Sequence, residues 1–199
     1  MKLYFATGNP HKFAEVKQVM EEFGIELEQV DIKGEEIQAN SVLMVVENVA
    51  KRIAKEFSKP FIVEDTSLQV EVLSTFPGPY SSYVYKTIGS RGILKLLEGI
   101  DDRDAEFHSA MSYGERGKVL KNVVGIAEGT ISKKIRGPEG FGFDPIFIPQ
   151  GSRKTFGEMT TDEKNRLSHR AKAARIIGEW LSSKFRAVHK REPSCVPSY

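Results

Sequence analysis

The hydrophobic and polar positions near the start of the chain predict a buried strand, a tight turn and an amphipathic helix. Residues 3–6 are mostly apolar and lead into a Thr-Gly-Asn turn. Asn9 is a favourable N-cap, and Pro10 suits the first position of a helix. Apolar side chains then recur at about 3.6-residue spacing, as one face of a helix requires: Phe13, Val16, Met20 and Phe23.

The same alternation of elements continues along the first third of the chain. The pattern predicts a second strand over residues 25–32, a helix over 41–57, and an apolar strand over 60–63 that ends on the polar residues 64–67. This β-α-β-α order predicts parallel strands joined by crossover helices. Because ligands gather beyond the carboxyl ends of such strands, we expect the Thr-Gly-Asn turn and this polar cluster to lie at one edge.

The rest of the chain predicts an antiparallel extension, since strand-like runs there follow one another without a helix between them. The last part predicts a helical region from Thr160 to about Phe185, introduced by a capping box and left open as one helix or as two split near Ser168. The elements between are predicted as a strand at 68–72, an aromatic loop at 76–82, a helix at 90–97, strands at 104–113, 117–127 and 128–135 with turns at 114–117 and near Gly129, a Gly/Pro loop at 137–145 and a strand at 146–148.

Composition and charge narrow the class of protein. A chain of 199 residues suits one sizeable domain or two lobes around a shared sheet. The formal net charge is +2 and the basic residues are spread along the chain, so no nucleic-acid partner is expected. The apolar run at the N-terminus is too short for a signal peptide or a membrane span, which predicts a cytoplasmic protein with no membrane partner. The single Cys195 excludes an intrachain disulfide and disfavours a cysteine metal cluster.

Two polar clusters suggest phosphate and metal chemistry. A helix N-terminus behind a glycine turn attracts anions, and Lys12 adds a positive charge there. The acidic pairs Glu35-Glu36 and Glu64-Asp65 suit Mg²⁺, which one or two carboxylates hold together with substrate phosphates. The alternative is that these are solvated loop acids. Because neighbouring side chains of an extended chain point opposite ways, the sequence leaves open which of Glu64 and Asp65 would face a metal.

Two further clusters could bind a nucleobase. The glycine-rich run 141–144 offers two flat aromatic faces for stacking on a base, although two core phenylalanines beside a turn would give the same pattern. Lys164, His169 and Arg170 place cationic groups near one another, with a solvated helix face as the alternative.

Five motifs, taken together and in this order, resemble the inosine triphosphate pyrophosphatase family, the Ham1-like pyrophosphatases of non-canonical purine nucleotides, and its archaeal members most closely. The resemblance covers about residues 2–185. It is specific because five motifs occur in one order, whereas no single motif would suffice. The motifs are Thr7-Gly8-Asn9-Pro10-His11-Lys12, Glu64-Asp65-Thr66-Ser67-Leu68, Phe76-Pro77-Gly78-Pro79-Tyr80-Ser81, Phe141-Gly142-Phe143-Asp144-Pro145, and Glu163-Lys164-Asn165 followed by Ser168-His169-Arg170.

The resemblance implies Mg²⁺-dependent hydrolysis of ITP, dITP and XTP to the monophosphate and pyrophosphate, which removes deaminated purines from the nucleotide pool. It implies an α/β fold with an elongated central mixed sheet flanked by helices, and two lobes with the active site in the cleft between them. It also implies a homodimer. Residues 1–185 would form a single catalytic domain, and residues 186–199 a poorly ordered tail.

The resemblance also implies roles for individual residues. Asp65 would be the general base and would bind Mg²⁺ together with Glu36, while Lys12 would neutralise the phosphates. One position departs from the family, because a lysine of the preceding helix is matched here by Val49, with Lys51 only a near neighbour. The residues implied to contact the triphosphate are Thr7, Gly8, Asn9, Pro10, His11 and Lys12, and Thr66 would also touch the substrate. Those implied to enclose the base are Phe141, Gly142, Phe143 and Asp144. Those implied to contact both base and phosphate are Lys164, His169 and Arg170.

Three other functions compete with this interpretation. The first is a nucleotide sensor that uses the same cradle without catalysis. The second is a Maf-like pyrophosphatase for modified pyrimidine nucleotides, which the Ser-His-Arg and Phe-Gly-Phe-Asp motifs disfavour. A nucleic-acid-binding role is the weakest.

Base selection is expected to depend on a buried hydrogen-bond donor such as Arg170. Adenine would leave this donor unpaired, but hypoxanthine and xanthine would not. The sequence does not show how guanine is rejected.

Overall fold

The computed structural model describes residues 1–32, 37–138 and 141–189. It is an α/β fold in which one mixed sheet is flanked by helices, as expected. The strands are β1 (Lys2–Ala6), β2 (Glu26–Val30), β3 (Phe61–Val70), β4 (Pro77–Gly78), β5 (Asp104–Glu115), β6 (Lys118–Ile131) and β7 (Phe147–Pro149). The helices are α1 (Pro10–Glu21), α2 (Val42–Glu56), α3 (Ser81–Thr87), α4 (Gly89–Leu96), α5 (Thr161–Leu167) and α6 (His169–His189), with short 3₁₀ turns at Glu71–Leu73, Asp144–Ile146 and Phe156–Glu158.

The strand order is β2-β1-β3-β5-β6-β7, and β4 pairs with β3 outside this path. Strands β2, β1 and β3 are parallel, as the crossover pattern predicts, while β5, β6 and β7 extend the sheet in antiparallel pairs. Apolar clusters fill both faces. One packs α1 and α6 against the sheet, one packs α2 against the opposite face, and a third lies around α3, α4 and β7.

Strand β3 differs from the prediction in a way that creates the site. We predicted a strand ending at residue 63 and a second one beginning at 68, but β3 is continuous because β5 pairs with it along its whole length. On its other edge β1 pairs only with residues 61–63, and β4 only with Leu68 and Gln69. Residues 64–67 therefore lie at a gap between two described strands.

The predicted turn near Gly129 is wrong, and the three predicted strands are the two long strands β5 and β6. Gly129 lies opposite Pro149 of β7, and an added Cβ would come within 2.2 Å of the Ile148 carbonyl oxygen. The glycine is therefore required for the close approach of β7 and not for a turn.

Helix α3 was missed because its residues were interpreted as the end of an aromatic loop. The sequence left the tyrosines at 83 and 85 open as core or interface residues, and Tyr83, at 69% exposed, is not part of the core. The helical region near the C-terminus is two helices, since the chain is extended at Ser168, whose Oγ accepts a hydrogen bond from the Ala171 N–H and so caps α6.

Helix α6 continues to His189, four residues beyond the predicted end of the domain at 185, and the remainder of the predicted tail, residues 190–199, lies outside the described residues. None of the described helices is long and apolar enough to cross a bilayer.

Candidate active site

A cavity of about 730 Å³ opens at the gap beside β3, within the usual size range of ligand pockets, roughly 300–1,000 Å³. Most of the predicted site residues meet there. Pro10, His11 and Lys164 do not line the cavity, and Glu36, one of the two predicted metal ligands, lies outside the described residues. The predicted residues that line it are Thr7, Gly8, Asn9, Lys12, Asp65, Thr66, Phe141, Gly142, Phe143, Asp144, His169 and Arg170.

The β1–α1 turn brings Thr7, Gly8, Asn9 and Lys12 of the first motif to the cavity. Asn9 is the N-cap of α1, and its Oδ1 accepts hydrogen bonds from the N–H groups of His11 (2.9 Å) and Lys12 (3.3 Å). The Asn9 N–H in turn donates to Thr7 Oγ1 at 3.2 Å. These three N–H groups, which we expected to be free for an anion, are therefore engaged by the side chains of the turn itself. Lys12 is the charged group that the turn contributes.

Lys12 connects the two adjacent carboxylates of β3. Its Nζ lies 3.1 Å from Glu64 Oε2 and 3.3 Å from Asp65 Oδ1. The two acids differ in access, because the side chain of Glu64 is fully buried while that of Asp65 is 23% exposed. Glu64 Oε1 also accepts hydrogen bonds from Thr66 (2.6 Å) and Ser109 (2.7 Å). Asp65 is thus the more accessible carboxylate of the pair. The sequence alone had left open which of the two acids would face a ligand.

A buried ion network continues from Glu64 to the base of the aromatic loop. Arg170 pairs with Glu64 at 3.2 Å and with Glu15 of α1. Glu15 in turn pairs with Lys164 at 2.6 Å, and Lys164 pairs with Asp144 at 2.6 Å. Both cations were predicted substrate contacts. The structure places Arg170 on the cavity wall with its charge paired, and Lys164 behind the wall.

The charges of this network shift the pKa values of its members. Burial alone would raise the pKa of Glu64, but the attraction of Arg170 and Lys12 outweighs it and lowers that pKa to about 2. Burial likewise opposes the charged form of Glu15, whose pKa is nevertheless lowered by Arg170 and Lys164. Burial would lower the pKa of Lys12, yet Glu64 and Asp65 raise it. Glu64, Glu15 and Lys12 are therefore charged at neutral pH.

His169 lies at the other end of the cavity and, unlike the ion network, is uncharged. Its ring stacks on Phe107, with centroids 4.5 Å apart, and is 1% exposed. Burial, followed by the positive charges of Arg170 and Lys164, lowers its pKa well below the usual value, so the ring is neutral. Neither ring nitrogen has a hydrogen-bond partner. A buried polar group without a partner is costly, and His169 is one of the residues that line the cavity, where a ligand could supply a partner.

The position of His169 depends on a glycine of β6. An added Cβ at Gly125 would come within 2.1 Å of the His169 carbonyl oxygen and 2.5 Å of the Ala173 N atom. Only glycine therefore lets the first turn of α6 lie directly against β6. This contact holds His169 and Arg170 at the cavity.

The aromatic loop closes the same end of the cavity. Asp144 Oδ2 accepts a hydrogen bond from the Phe141 N–H at 3.0 Å, which ties the two ends of the run together. Phe141 stacks on His11 and lies beneath the Arg170 guanidinium, while Phe143 packs edge-on against Tyr85 of α3. His11 thus acts on the loop rather than on the cavity.

Sequence reasoning missed three residues that position the predicted ones: Glu15, Ser109 and Phe107. Glu15 carried a signal, because it lies four residues before Val19 on the helix face that is buried, where an acid requires a cationic partner. Ser109 and Phe107 gave no local signal, since only the β3–β5 register brings Ser109 opposite Thr66.

The structure also shows the position at which the chain departs from the family, where Val49 replaces a lysine. Val49 lines the cavity, whereas Lys51 is exposed and pairs with Glu47.

Comparisons with known proteins agree on one family. The sequence model of the Ham1 family matches residues 3–180. A dITP/XTP pyrophosphatase of Methanopyrus kandleri is 47% identical over 183 residues, which cover 92% of this chain and 97% of that protein. The dITP/XTP pyrophosphatase of Pyrococcus horikoshii is 49% identical over 181 residues, with 91% and 97% covered.

Solved structures share the fold. The Ham1 protein of Staphylococcus aureus superposes with a TM-score of 0.79 at 24% identity and covers 92% of this chain and 100% of its own. A nucleoside-triphosphatase / dITP/XTP pyrophosphatase from Mycobacterium abscessus gives a TM-score of 0.67 at 30% identity, with 91% and 99% covered.

We expect Glu64→Gln to lower the free energy of unfolding by about 3 kcal/mol at neutral pH, because Arg170 and Lys12 would lose a buried partner. Since folding lowers the pKa of Glu64 from 4.5 to about 2, its ion pairs stabilise the fold above the unfolded-state pKa and are lost as pH falls through the folded-state value. The difference between wild type and variant in urea denaturation should therefore narrow as pH falls from about 5 towards about 2.

The matched control is Glu22→Gln, which breaks the exposed pair between Glu22, at the end of α1, and Arg175 of α6. It should cost at most about 1 kcal/mol. Equal losses of unfolding free energy in the two variants would contradict the assignment of Glu64 as a buried carboxylate paired with Arg170 and Lys12. So would a stability difference between wild type and Glu64→Gln that does not change with pH.

Proposed function

The chain belongs to the Ham1 family, and from this premise we propose that it hydrolyses the non-canonical purine nucleotides dITP, ITP and XTP to the monophosphate and pyrophosphate, and that it does so in the cytoplasm. One observation carries the proposal. A single cavity joins a charged end, with Lys12 and Asp65, to a buried aromatic end, with Phe141, Phe143 and the unpartnered nitrogens of His169. A nucleoside triphosphate has the matching polarity, with phosphates at one end and a flat base with polar edges at the other.

Asp65 is the group that we assign to the attacking water. Hydrolysis between the α- and β-phosphates requires an oriented water that loses a proton and a leaving pyrophosphate whose charge is stabilised. Asp65 lines the cavity, is partly exposed, and is held by Lys12 at 3.3 Å, whereas Glu64 is occupied by four neighbours. Lys12 lies beside both acids and can neutralise a phosphate oxygen as charge develops on it.

The cavity also fits a magnesium ion. Asp31, Glu64, Asp65 and Asp144 line it together with the cations Lys12, Lys86 and Arg170, so among the described residues carboxylates outnumber cations by four to three. A polyphosphate would meet net repulsion there without an added cation. The carboxylate donors are all oxygens, as Mg²⁺ prefers, and substrate phosphates would complete the coordination of the ion.

We propose that Asp65, with Glu36 from outside the described residues, would hold Mg²⁺. When bound, the ion would supply charge neutralisation on the phosphates.

The aromatic end offers a basis for base recognition. Neutral His169 can donate one hydrogen bond and accept another, and hypoxanthine and xanthine present both an O6 acceptor and an N1–H donor. Adenine presents the opposite pattern, which the other tautomer of the ring would match, so His169 would anchor a purine base without by itself excluding adenine. A base that leaves the buried ring nitrogens unpaired loses affinity, because their desolvation is then uncompensated. Arg170, the donor that we expected to discriminate, has its charge paired by Glu15 and Glu64, which makes His169 the sharper test.

Product identification tests the proposed reaction. With Mg²⁺, the protein should release pyrophosphate and monophosphate from dITP and XTP, and little from dGTP or ATP. Asp65→Asn should lower kcat by about 100-fold or more while dITP still binds, because the amide keeps the shape but cannot take the proton. Release of orthophosphate would mean that another bond is cut, and tight dITP binding without turnover in the wild type would favour the sensor.

His169→Phe tests base recognition, because phenylalanine can keep the stacking on Phe107 and removes both ring nitrogens. We expect kcat/KM for dITP to fall by about tenfold to a hundredfold. The midpoint of urea unfolding should not fall, since the nitrogens are unpaired in the free protein. The control is His108→Phe, whose ring bonds to Gln69 and Glu106 away from the cavity. An unchanged kcat/KM in His169→Phe would remove this residue from base recognition.

We also propose that the chain forms a homodimer through the exposed apolar surface of Tyr80, Tyr83 and Ile88 around α3. Large apolar side chains this exposed are typical of contact surfaces. Tyr83→Lys should convert the dimer to a monomer in sedimentation equilibrium, since it places a charge in the contact. A wild type that sediments as a monomer, or a variant that remains dimeric, would argue against this surface.

A further inference from the structure

One wall of the cavity is formed by α3, a helix that none of the predicted site motifs covers beyond its first residue. Ser81, Ser82, Tyr85 and Lys86 line the cavity from this helix. The spacing of four residues places Ser82 and Lys86 on the same helix face. Tyr85 packs edge-on against Phe143 with ring centroids 5.4 Å apart, which fixes α3 against the aromatic loop. The helix is therefore part of the site and not only part of the surface.

Lys86 differs from the other described cations of the cavity in having no partner. Lys12 is paired with Glu64 and Asp65, and Arg170 with Glu64 and Glu15. Across residues 1–32, 37–138 and 141–184, the side chain of Lys86 makes neither an ion pair nor a hydrogen bond. Its ammonium group is exposed, so it can meet an incoming anion without breaking an existing contact.

The charge balance of the cavity gives this lysine a use. The positive charges of Lys12 and Arg170 are already matched by carboxylates, so neither adds much net attraction for a polyphosphate. An unpaired cation on the opposing wall attracts an anion more strongly than a paired one does, because its field is not cancelled by a neighbour.

We propose that Lys86 is a substrate-binding residue that contacts the phosphate chain of the nucleoside triphosphate from the α3 side of the cavity. The proposal rests on the proposed function for the identity of the substrate, and it adds a phosphate contact that the sequence motifs did not indicate. Lys86 acts on binding of the polyphosphate and not on the base or the attacking water. Its removal should therefore raise KM more than it lowers kcat.

The binding test uses inorganic tripolyphosphate with Mg²⁺ and isothermal titration calorimetry on the full chain. Lys86→Ala should weaken binding about fivefold, as for one exposed charge pair. Lys86→Glu should weaken it further, and Lys86→Arg should retain most of the affinity. The loss in Lys86→Ala should shrink at high salt, because the contact is exposed and therefore screened.

The matched control is Lys51→Ala, since Lys51 is also an exposed lysine near the site but pairs with Glu47 and does not line the cavity. It should bind tripolyphosphate as the wild type does. Unchanged affinity in Lys86→Ala, equal losses in Lys86→Ala and Lys51→Ala, or a wild type that does not bind tripolyphosphate would each overturn the proposal.

Steady-state kinetics separates this proposal from the proposed function. With dITP, Lys86→Ala should raise KM about fivefold and change kcat less than about twofold. If the wild type binds tripolyphosphate through Lys86 but does not hydrolyse dITP, the proposed function fails and the phosphate contact stands. If dITP is hydrolysed and KM is unchanged in Lys86→Ala, the contact fails and the function stands.

Discussion

The structure around the cavity depends on the requirement that every buried charge be paired. Carboxylates and cations alternate along one connected path, and removal of any member would take one partner from each of its neighbours. The path joins β3, α1, α6, α5 and the aromatic loop, so these elements cannot shift independently. The distance between the charged end and the aromatic end of the cavity is set in this way. Its members are Asp65, Lys12, Glu64, Arg170, Glu15, Lys164 and Asp144.

Much of the site was predictable because its signals are local. The run into Thr7-Gly8-Asn9, with Asn9 as N-cap, describes the observed β1–α1 turn. Parallel pairing then brings Ala6 opposite Val63, so Thr7 and Glu64 come to the same edge, as the β-α-β-α order requires. The order of five short motifs identified the family, which no single motif could have done.

What the sequence did not show depends on contacts between distant parts of the chain. The strand that carries Glu64 and Asp65 continues because β5 pairs with it, and β5 lies some forty residues later in the sequence. The sequence predicted a turn near Gly129 and gave no signal at Gly125, yet each glycine allows another element to approach the backbone of β6 closely. The state of His169, neutral and without partners, follows from burial beside Arg170 and Lys164, which becomes visible only when α6 is placed.

The gap beside residues 64–67 of β3 also affects the entropy of binding. The carboxylates stand on a strand whose backbone is already fixed by its pairing with β5, so holding them in place requires no ordering when a substrate arrives. Fixing a free backbone costs about 1–2 kcal/mol per residue, and here folding has already met that cost at the charged end. Among the described residues that line the cavity, those of the short loop at 141–144 belong to no strand, and Asp144 anchors this loop from within. The affinity for different bases can therefore change through a few loop residues while the reacting groups remain in place.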